Sequence, residues 1–209
     1  MSICETLQIH LKPGADAAQA DAAIRSQLAG TTGLQSWHVG LNLEGCWGAG
    51  QLTVDLLREA DSADRPIDFS GVPGFERTDG VQYQTIEQGL REPDIQGGIW
   101  RTLMLQIRDG AAAEEVAKFE QETLGMPRYM RGIRNWRLGR VTSPGTHWTH
   151  VWQQEYTTIN DLMGEYLLHP YHWGWVDRRF DPEFPEVWVV DTGLCHAFCP
   201  LESTIVGRD

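Results

Sequence analysis

The sequence lacks the features that would place it in a membrane or in the secretory pathway. No apolar run approaches the roughly 18 residues that a membrane-spanning helix needs. The first residues, MSICETLQIHLKPG, contain no basic segment followed by an apolar one and no small-residue cleavage site, which argues against a secretory signal. We therefore expect a soluble, cytoplasmic protein.

The sequence has few cysteines, and it has fewer basic than acidic residues. The four cysteines are expected to be free thiols, because no export signal accompanies them: Cys4, Cys46, Cys195 and Cys199. Seventeen Lys and Arg face twenty-nine Asp and Glu, which gives a formal net charge of −12 and argues against binding to nucleic acid or to an anionic membrane. The expected partners are small molecules or proteins, with a homodimer as one possible assembly.

The composition is otherwise that of a globular protein that is rich in tryptophan. The 209 residues are 41% apolar and 22% charged, enough for one large domain or two domains of about 100 residues each. Seven of the nine tryptophans lie at or beyond Trp100. Such a half can line an aromatic pocket, although ordinary packing also uses tryptophan.

The chain repeats one order of predicted elements. A strand at 3–11 precedes a helix with apolar residues at helical spacing (Ala17, Ala20, Ile24 and Leu28), and extended segments follow at 35–41 and 51–57. The second half repeats this order with a strand at 99–107, a helix at 114–124 and a strand at 132–141.

Short sequence matches between the two halves of the chain support an internal duplication. Glu5-Thr6-Leu7 matches Arg101-Thr102-Leu103, and Ser36–Gly40 matches Asn135–Gly139, at offsets of 96 and 99 residues. We predict an α+β fold in which two tandem ferredoxin-like βαββαβ units pack their open sheet faces into an intramolecular α+β barrel. The predicted units are 1–97, which is degenerate, and 98–209. The segment 61–80 is rich in Pro, Gly and Asp and is predicted to be a long loop where the second half has a helix.

One segment of the second half places a phenol and two imidazoles in a single turn. After a strand at 149–156, a helical apolar stripe runs through Ile159, Leu162, Met163, Tyr166 and Leu167, and Thr158 is a suitable N-cap. Because Pro170 disfavours helical geometry at the preceding residue, the helix should end at His169. His172 then lies just beyond the break.

This segment, YLLHPYHWGWVD from Tyr166 to Asp177, resembles the signature of the Dabb (stress-responsive dimeric α+β barrel) family. Thr149-His150 and Val189–Asp191 also fall where members of the family carry similar residues, so the resemblance covers about 110 residues. The first half is similar in pattern only, because it has no His-Pro-x-His. Its expected role is to close the barrel.

The resemblance implies a function through the olivetolic-acid-cyclase-like polyketide cyclases of the family, which work without a cofactor. It implies that Tyr166 is the polarising phenol and His172 the general base. Those cyclases carry a histidine on the first strand, where our alignment places Thr102, so the same substrate does not follow. Apart from the resemblance, a neutral imidazole can accept a proton at cellular pH, and a phenol can donate a hydrogen bond to a developing enolate.

Several further residues are candidates for substrate binding. They are Thr102, which aligns with the first-strand histidine of the cyclases, two histidines, and the tryptophans that can stack on an aromatic ring: Thr102, His150, His169, Trp100, Trp148, Trp152, Trp173 and Trp175. Arg101, Arg137 or Arg140 can receive an acidic group.

Structural interpretations compete with these assignments. Tyr166 and His172 can serve to pack the helix, His169 can be a structural hydrogen-bonding residue, and most tryptophans can belong to the core. We predict no metal site, because the nearby His and Cys residues lack the second knuckle of a zinc site and His147 and His150 should point to opposite faces of a strand.

Three functions remain open at this point: a cofactor-independent lyase, isomerase or cyclase acting on a small aromatic or polyketide-like compound, a haem- or oxygen-using monooxygenase, and a non-catalytic stress-associated binding protein.

Overall fold

A computed structural model describes residues 2–59 and 65–208. Within these residues the chain forms eight strands, two long helices and three short helical segments (α3 to α5), of which α3 and α4 are π-helical and α5 is a 3-10 helix. In chain order they are β1 Ser2–Leu11, α1 Ala17–Ala29, β2 Leu34–Leu41, β3 Leu52–Glu59, β4 Phe75–Leu90, β5 Ile99–Ile107, α2 Ala113–Tyr129, β6 Ile133–Val141, β7 His150–Tyr156, α3 Asp161–Tyr166, α4 His172–Val176, α5 Asp177–Phe180 and β8 Val190–Pro200. Over the described residues, no helix is long and apolar enough to cross a membrane.

The strands form one antiparallel sheet in which the same order occurs twice. The order is β2-β3-β1-β4 in the first unit and β6-β7-β5-β8 in the second, and every pairing is antiparallel. Each half has the strand order of a ferredoxin-like unit. This confirms the predicted fold class of two tandem ferredoxin-like units, and the predicted boundary after residue 97 falls between β4 and β5.

The two units join along two seams, which together make the barrel. At the first seam β4 pairs with β6, from Tyr83 opposite Val141 to Leu90 opposite Asn135. At the second seam the chain after β2 bonds to β8: Leu43 N donates to Phe198 O at 2.9 Å, and Trp47 and His196 exchange two backbone hydrogen bonds of 2.9 and 2.8 Å. The barrel therefore closes within one chain.

The two long helices follow from local sequence. The Asp16 carboxylate caps α1 by accepting from Ala18 N at 3.0 Å and Gln19 N at 3.1 Å, and the helix buries Ala20, Ile24 and Leu28, as the spacing predicts. Helix α2 is longer than the predicted 114–124. Its buried residues Phe119, Thr123 and Met126 recur at helical spacing and face the sheet of the second unit.

The predicted loop at 61–80 is partly wrong. Residues 60–64 lie outside the described part of the chain, and 65–74 are irregular, but β4 begins at Phe75. Gly80 belongs to this strand because it pairs with Leu7 so closely that a Cβ at Gly80 would lie 2.5 Å from Thr6 O. From the sequence alone Gly80 indicates a turn, but in the structure it allows two strands to approach closely.

The barrel interior holds a buried polar network around Asp55 of β3. Trp100 Nε1 donates to Oδ2 and Gln153 Nε2 donates to Oδ1, both at 2.6 Å, and the Tyr83 hydroxyl donates to Gln153 Oε1 at 2.6 Å. Asp55 is 2% exposed, and burial raises the pKa of its carboxyl to about 6, in spite of these bonds and of the nearby charge of Arg137. The network ties β3 of the first unit to β5 and β7 of the second.

The raised pKa of Asp55 predicts a pH dependence of stability. Below about pH 4 the carboxyl is protonated in both states. Between about pH 4 and 6 it ionises in the unfolded chain before it ionises in the folded one, so stability falls as pH rises, by about 3 kcal/mol in all. Asp55→Asn should lose this contribution, so the variant should gain about 3 kcal/mol relative to the native chain from pH 4 to pH 7.

Urea unfolding at a series of pH values measures the difference. The amide of Asp55→Asn keeps one acceptor oxygen, so the variant loses one hydrogen bond. This cost does not depend on pH, so it does not affect the change in stability between pH 4 and pH 7. A difference between the two proteins that is constant from pH 4 to pH 7 would contradict the assignment.

Candidate active site

A cavity of about 360 Å³ lies between the outer face of the second unit's sheet and the helices that cover it. Its walls are mainly apolar, with one or more residues from each of β5, β7, β8 and the four helical elements of this unit: Leu103, Trp152, Leu194, Phe119, Met163, Val176 and Phe180. The polar groups that reach it come from Arg101, Thr123, Tyr166, His172, Asp177 and His196. A mostly apolar cavity with a few convergent polar groups is typical of a site for a small molecule.

Tyr166 and His172 meet in this cavity. Tyr166 is the last residue of α3, the chain stays helical to 168 and breaks at His169, and His172 begins α4. The two rings have centroids 4.4 Å apart, and the residues are 1% and 9% exposed. The helix thus breaks at His169, the residue before Pro170, as the sequence predicts, and the phenol and the imidazole lie together across the break.

The surroundings of the pair set its charge state and orientation. Burial raises the pKa of the Tyr166 phenol, and the positive charge of Arg101 offsets part of the rise, so the hydroxyl is a protonated donor at neutral pH. His172 Nδ1 lies 3.2 Å from Asp177 Oδ2, although the angle is not that of a hydrogen bond. The carboxylate is half exposed and faces one edge of the imidazole.

Two further polar residues of the cavity come from strands. Arg101 on β5 is 3% exposed, donates to Gln154 Oε1 at 2.6 Å and lies over the Tyr166 ring at 5.1 Å. His196 on β8 is mostly buried, and burial, followed by the charges of Arg101 and His172, lowers the pKa of its imidazole to about 3. His196 is therefore neutral. The sequence reasoning considered it only as a metal ligand, and the alternation of side chains along β8 was the available signal.

Trp152 is the one predicted tryptophan that lines this cavity. Trp100, Thr102 and Trp148 do not, which corrects their predicted place in the substrate site. Because neighbouring side chains on a strand point to opposite faces, Arg101 faces the cavity and both Trp100 and Thr102 face the barrel interior. There Trp100 bonds to Asp55 and Thr102 accepts from Gln153 Nε2 at 3.2 Å.

Trp148 lies in the loop before β7 rather than in the strand. Its indole donates to Asp79 Oδ1 at 3.0 Å, which joins this loop to β4 of the first unit.

The other predicted binding residues also lie outside the cavity lining. His150 is on the same face as Trp152, but Glu120 Oε1 holds its Nε2 at 3.0 Å. His169 Nδ1 accepts from Tyr171 N at 3.1 Å and so stabilises the turn. Trp173 and Trp175 are 59% and 51% exposed, because His172 and Val176, four residues apart, occupy the inner face of α4.

The first unit contributes to the mouth of the cavity. Gly45 and Trp47, in the loop between β2 and β3, line the cavity although they belong to the other half of the chain. Their backbone is fixed by the second seam of the barrel, through the hydrogen bonds of Trp47 to His196. Barrel closure therefore also completes the site.

Arg179 of α5 fixes the cover of the cavity to α2. Its side chain is 2% exposed, and its Nε and Nη2 donate to the two oxygens of Glu122 at 2.7 and 3.0 Å. Its Nη1 donates to Glu115 at 2.5 Å. The planar guanidinium suits this two-pronged pairing. The sequence reasoning did not identify it, because the two acids lie more than fifty residues away along the chain.

Removal of this ion pair should loosen the cover. We expect Arg179→Met to destabilise the protein by about 2 kcal/mol, because the partly buried Glu122 loses two hydrogen bonds and keeps only its contact with Arg178, at 3.1 Å. Urea unfolding measures the loss. Lys118→Met is the matched control, because Lys118 also contacts Glu115 but is exposed, and it should change stability little. Equal effects of the two substitutions would contradict the assignment.

Within residues 2–59 and 65–208, no group of three or more His, Cys, Asp or Glu is arranged to hold a metal ion. All four cysteines are free thiols.

The fold defines the class of protein, an α+β barrel in which the helices of the second unit enclose an apolar cavity against its sheet. Residues 99–193, a little less than half of the chain, match the family model of the stress responsive A/B barrel domain, Dabb. The match covers α3, α4 and the Tyr166-to-His172 segment. No curated protein sequence is significantly similar to the chain.

Solved structures share the architecture over the whole chain. A proposed monooxygenase of Fusobacterium nucleatum subsp. nucleatum has 9% identity and a TM-score of 0.59, over 97% of this chain and 92% of that one. A proposed monooxygenase of Lactobacillus acidophilus NCFM has 8% identity and a TM-score of 0.58, over 97% and 98%. An anthrone oxidase-like protein has 7% identity and a TM-score of 0.58, over 97% and 91%. At these identities the likeness shows the fold alone.

Proposed function

We propose that the protein is a cofactor-independent lyase, isomerase or cyclase that acts on a small aromatic or polyketide-like compound through Tyr166 and His172. The observation that carries the proposal is the contact of these two rings, 4.4 Å between centroids, at the wall of an apolar cavity. An acid–base pair in such a cavity suits proton abstraction next to a carbonyl group.

The two side chains have distinct roles in this proposal. His172 removes a proton from the carbon next to the substrate carbonyl, and Tyr166 donates a hydrogen bond to the oxygen on which negative charge develops. Asp177 faces Nδ1 of His172, so Nε2 is the nitrogen that we assign to proton transfer. The low dielectric of the buried site strengthens each of these interactions.

The walls of the cavity support an aromatic substrate. Phe119 and Trp152 offer ring surfaces, and Leu103, Leu194 and Val176 are apolar. The match of residues 99–193 to the Dabb family model supports the proposal, because the sequence resembles the polyketide cyclases of that family at Tyr166 and His172.

A second candidate comes from the names of the similar structures. Two of them are called proposed monooxygenases and one anthrone oxidase-like, so a haem- or oxygen-using monooxygenase is the alternative reaction. A haem-bound protein would show a Soret band after purification. A third candidate, a stress-associated protein that binds the same ligands without reaction, would bind them but not accelerate proton exchange.

Substitution of the pair tests the proposed chemistry. Exchange of deuterium into the methyl group of acetophenone, followed by NMR, reports proton abstraction without knowledge of the natural substrate. We expect catalysed exchange to fall by about 10²- to 10⁴-fold in Tyr166→Phe and His172→Asn, because each substitution removes a proton donor or acceptor while it keeps the shape of the side chain. Thermal melting should show that both variants remain folded.

His147→Asn is the matched control, because His147 is an exposed histidine of the same unit outside the cavity. It should leave exchange unchanged. Exchange that the native protein does not accelerate, or that all three variants catalyse equally, would contradict the proposal.

A further inference from the structure

Arg101 is a buried cation without a carboxylate partner. It is 3% exposed and lines the cavity, and its guanidinium donates a hydrogen bond to the neutral amide of Gln154. Its Nε has no hydrogen-bond partner. Among the residues that the structure describes, no carboxylate oxygen lies within 4.0 Å of its guanidinium nitrogens.

Other deeply buried arginines of the chain are neutralised by acids. Arg58, 3% exposed, pairs with Glu5 at 2.9 Å, and Arg179, 2% exposed, pairs with Glu122 at 2.7 Å. A buried charge is costly unless it is paired, and this cost explains both of those pairs. Arg101 has the same burial without the anion, and it is the arginine that reaches the cavity.

We propose that the cavity binds an organic anion, an aromatic or polyketide-like acid whose carboxylate pairs with Arg101. The inference rests on the proposed function in placing the substrate in this cavity, and it adds the chemical class of that substrate. A guanidinium is the side chain best suited to a carboxylate, because its planar donors match the two oxygens.

The other charges around the cavity fit this assignment. His196 is neutral, with an imidazole pKa of about 3, so it can donate a hydrogen bond to an acid without adding charge. The acidic residue of the lining is Asp177, which is half exposed and faces His172. Since Arg101 lies 5.1 Å over the Tyr166 ring, an acid bound to Arg101 lies beside the phenol that polarises the reacting group.

Matched probes test the inference by calorimetry: 2-naphthoate and its neutral analogue 2-naphthamide. The native protein should bind the acid at least 10-fold more tightly than the amide. Arg101→Met should abolish this preference. It should also keep or raise the melting temperature, because replacement of an unpaired buried charge by an apolar side chain of similar size is often stabilising.

The chain offers a matched control on the other face of the same sheet. Arg137 is also buried, donates to a glutamine (Gln153, at 3.0 Å) and lies over a tyrosine ring (Tyr83, at 5.5 Å). It faces Asp55 in the barrel interior instead of the cavity. Arg137→Met should lower the melting temperature and leave the preference for the acid unchanged.

Three outcomes would overturn the inference. In the first, the native protein binds the two probes equally or binds neither. In the second, Arg101→Met still prefers the acid. In the third, Arg101→Met lowers the melting temperature as much as Arg137→Met does. If the Tyr166 and His172 variants lose exchange but the native protein shows no preference for the acid, only the assignment of an anionic substrate is overturned. A preference for the acid with no catalysed exchange would overturn the proposed reaction alone.

A second inference follows from the exposed ring at the mouth of the cavity. The backbone of Trp47 is fixed by two hydrogen bonds to His196, yet the residue is 68% exposed. Gly48 keeps this loop against β8, because its φ is +65° and a Cβ there would lie 2.2 Å from Leu194 O. The corresponding loop of the second unit carries Trp148, which is 6% exposed and bonded to Asp79.

We infer that Trp47 is a specificity residue, whose ring stacks on the part of an elongated aromatic ligand that extends from the mouth. Acetophenone and 4-acetylbiphenyl, both neutral, are the probes, so this test does not depend on Arg101. Trp47→Ala should weaken binding of 4-acetylbiphenyl by about five-fold and leave acetophenone unchanged. Trp173→Ala, another exposed tryptophan outside this cavity, is the control and should affect neither.

Equal weakening of both probes by Trp47→Ala, or no weakening of either, would overturn this inference. Trp47→Phe should retain most of the affinity for the biphenyl, because a phenyl ring still stacks on it.

Discussion

Closure of the barrel by main-chain hydrogen bonds is the constraint on which the other features depend. A ferredoxin-like unit covers one face of its sheet with helices and leaves the other face bare. The β4–β6 pairing and the bonds from Leu43 and Trp47 to β8 bring the two bare faces together. The side chains of the two inner faces pack against each other, and the apolar cavity lies on the other face of the second unit's sheet, under its helices. The same bonds place a loop of the first unit at its mouth.

The two units have diverged in what lies under their helices. In the first, α1 packs Ile24 and Leu28 directly against Ile9 and Val54 of the sheet. In the second, the chain after β7 forms short helical segments, two of them π-helical, with a break at His169 just before Pro170. Such irregular helices are frequent at functional sites. They hold Tyr166 and His172 at the cavity wall, while Arg179 fixes them to α2.

Local patterns predicted the fold well because they are governed by short-range rules. The repeated order of elements, the stripe of α1 and the helix break before His172 all depend on residues close together in sequence. The site was predicted less completely. The motif predicted that Tyr166 and His172 lie together, and both line the cavity. On β5 the alignment with the cyclases pointed to Thr102, which faces the barrel interior, whereas its neighbour Arg101 lines the cavity, because adjacent residues of a strand point to opposite faces. The contribution of Trp47 and the pairs of Arg179 depend on long-range contacts, which no local pattern contains.

The fusion of the two units has a consequence for symmetry. In a homodimer every substitution appears twice, so both sites must change together. Here the loops that carry Trp47 and Trp148 occupy equivalent places but are encoded separately. Trp47 is exposed beside the cavity, whereas Trp148 is buried and bonds to Asp79 of the other unit. A single chain that holds both copies can thus change the loop of one unit without a matching change in the loop of the other.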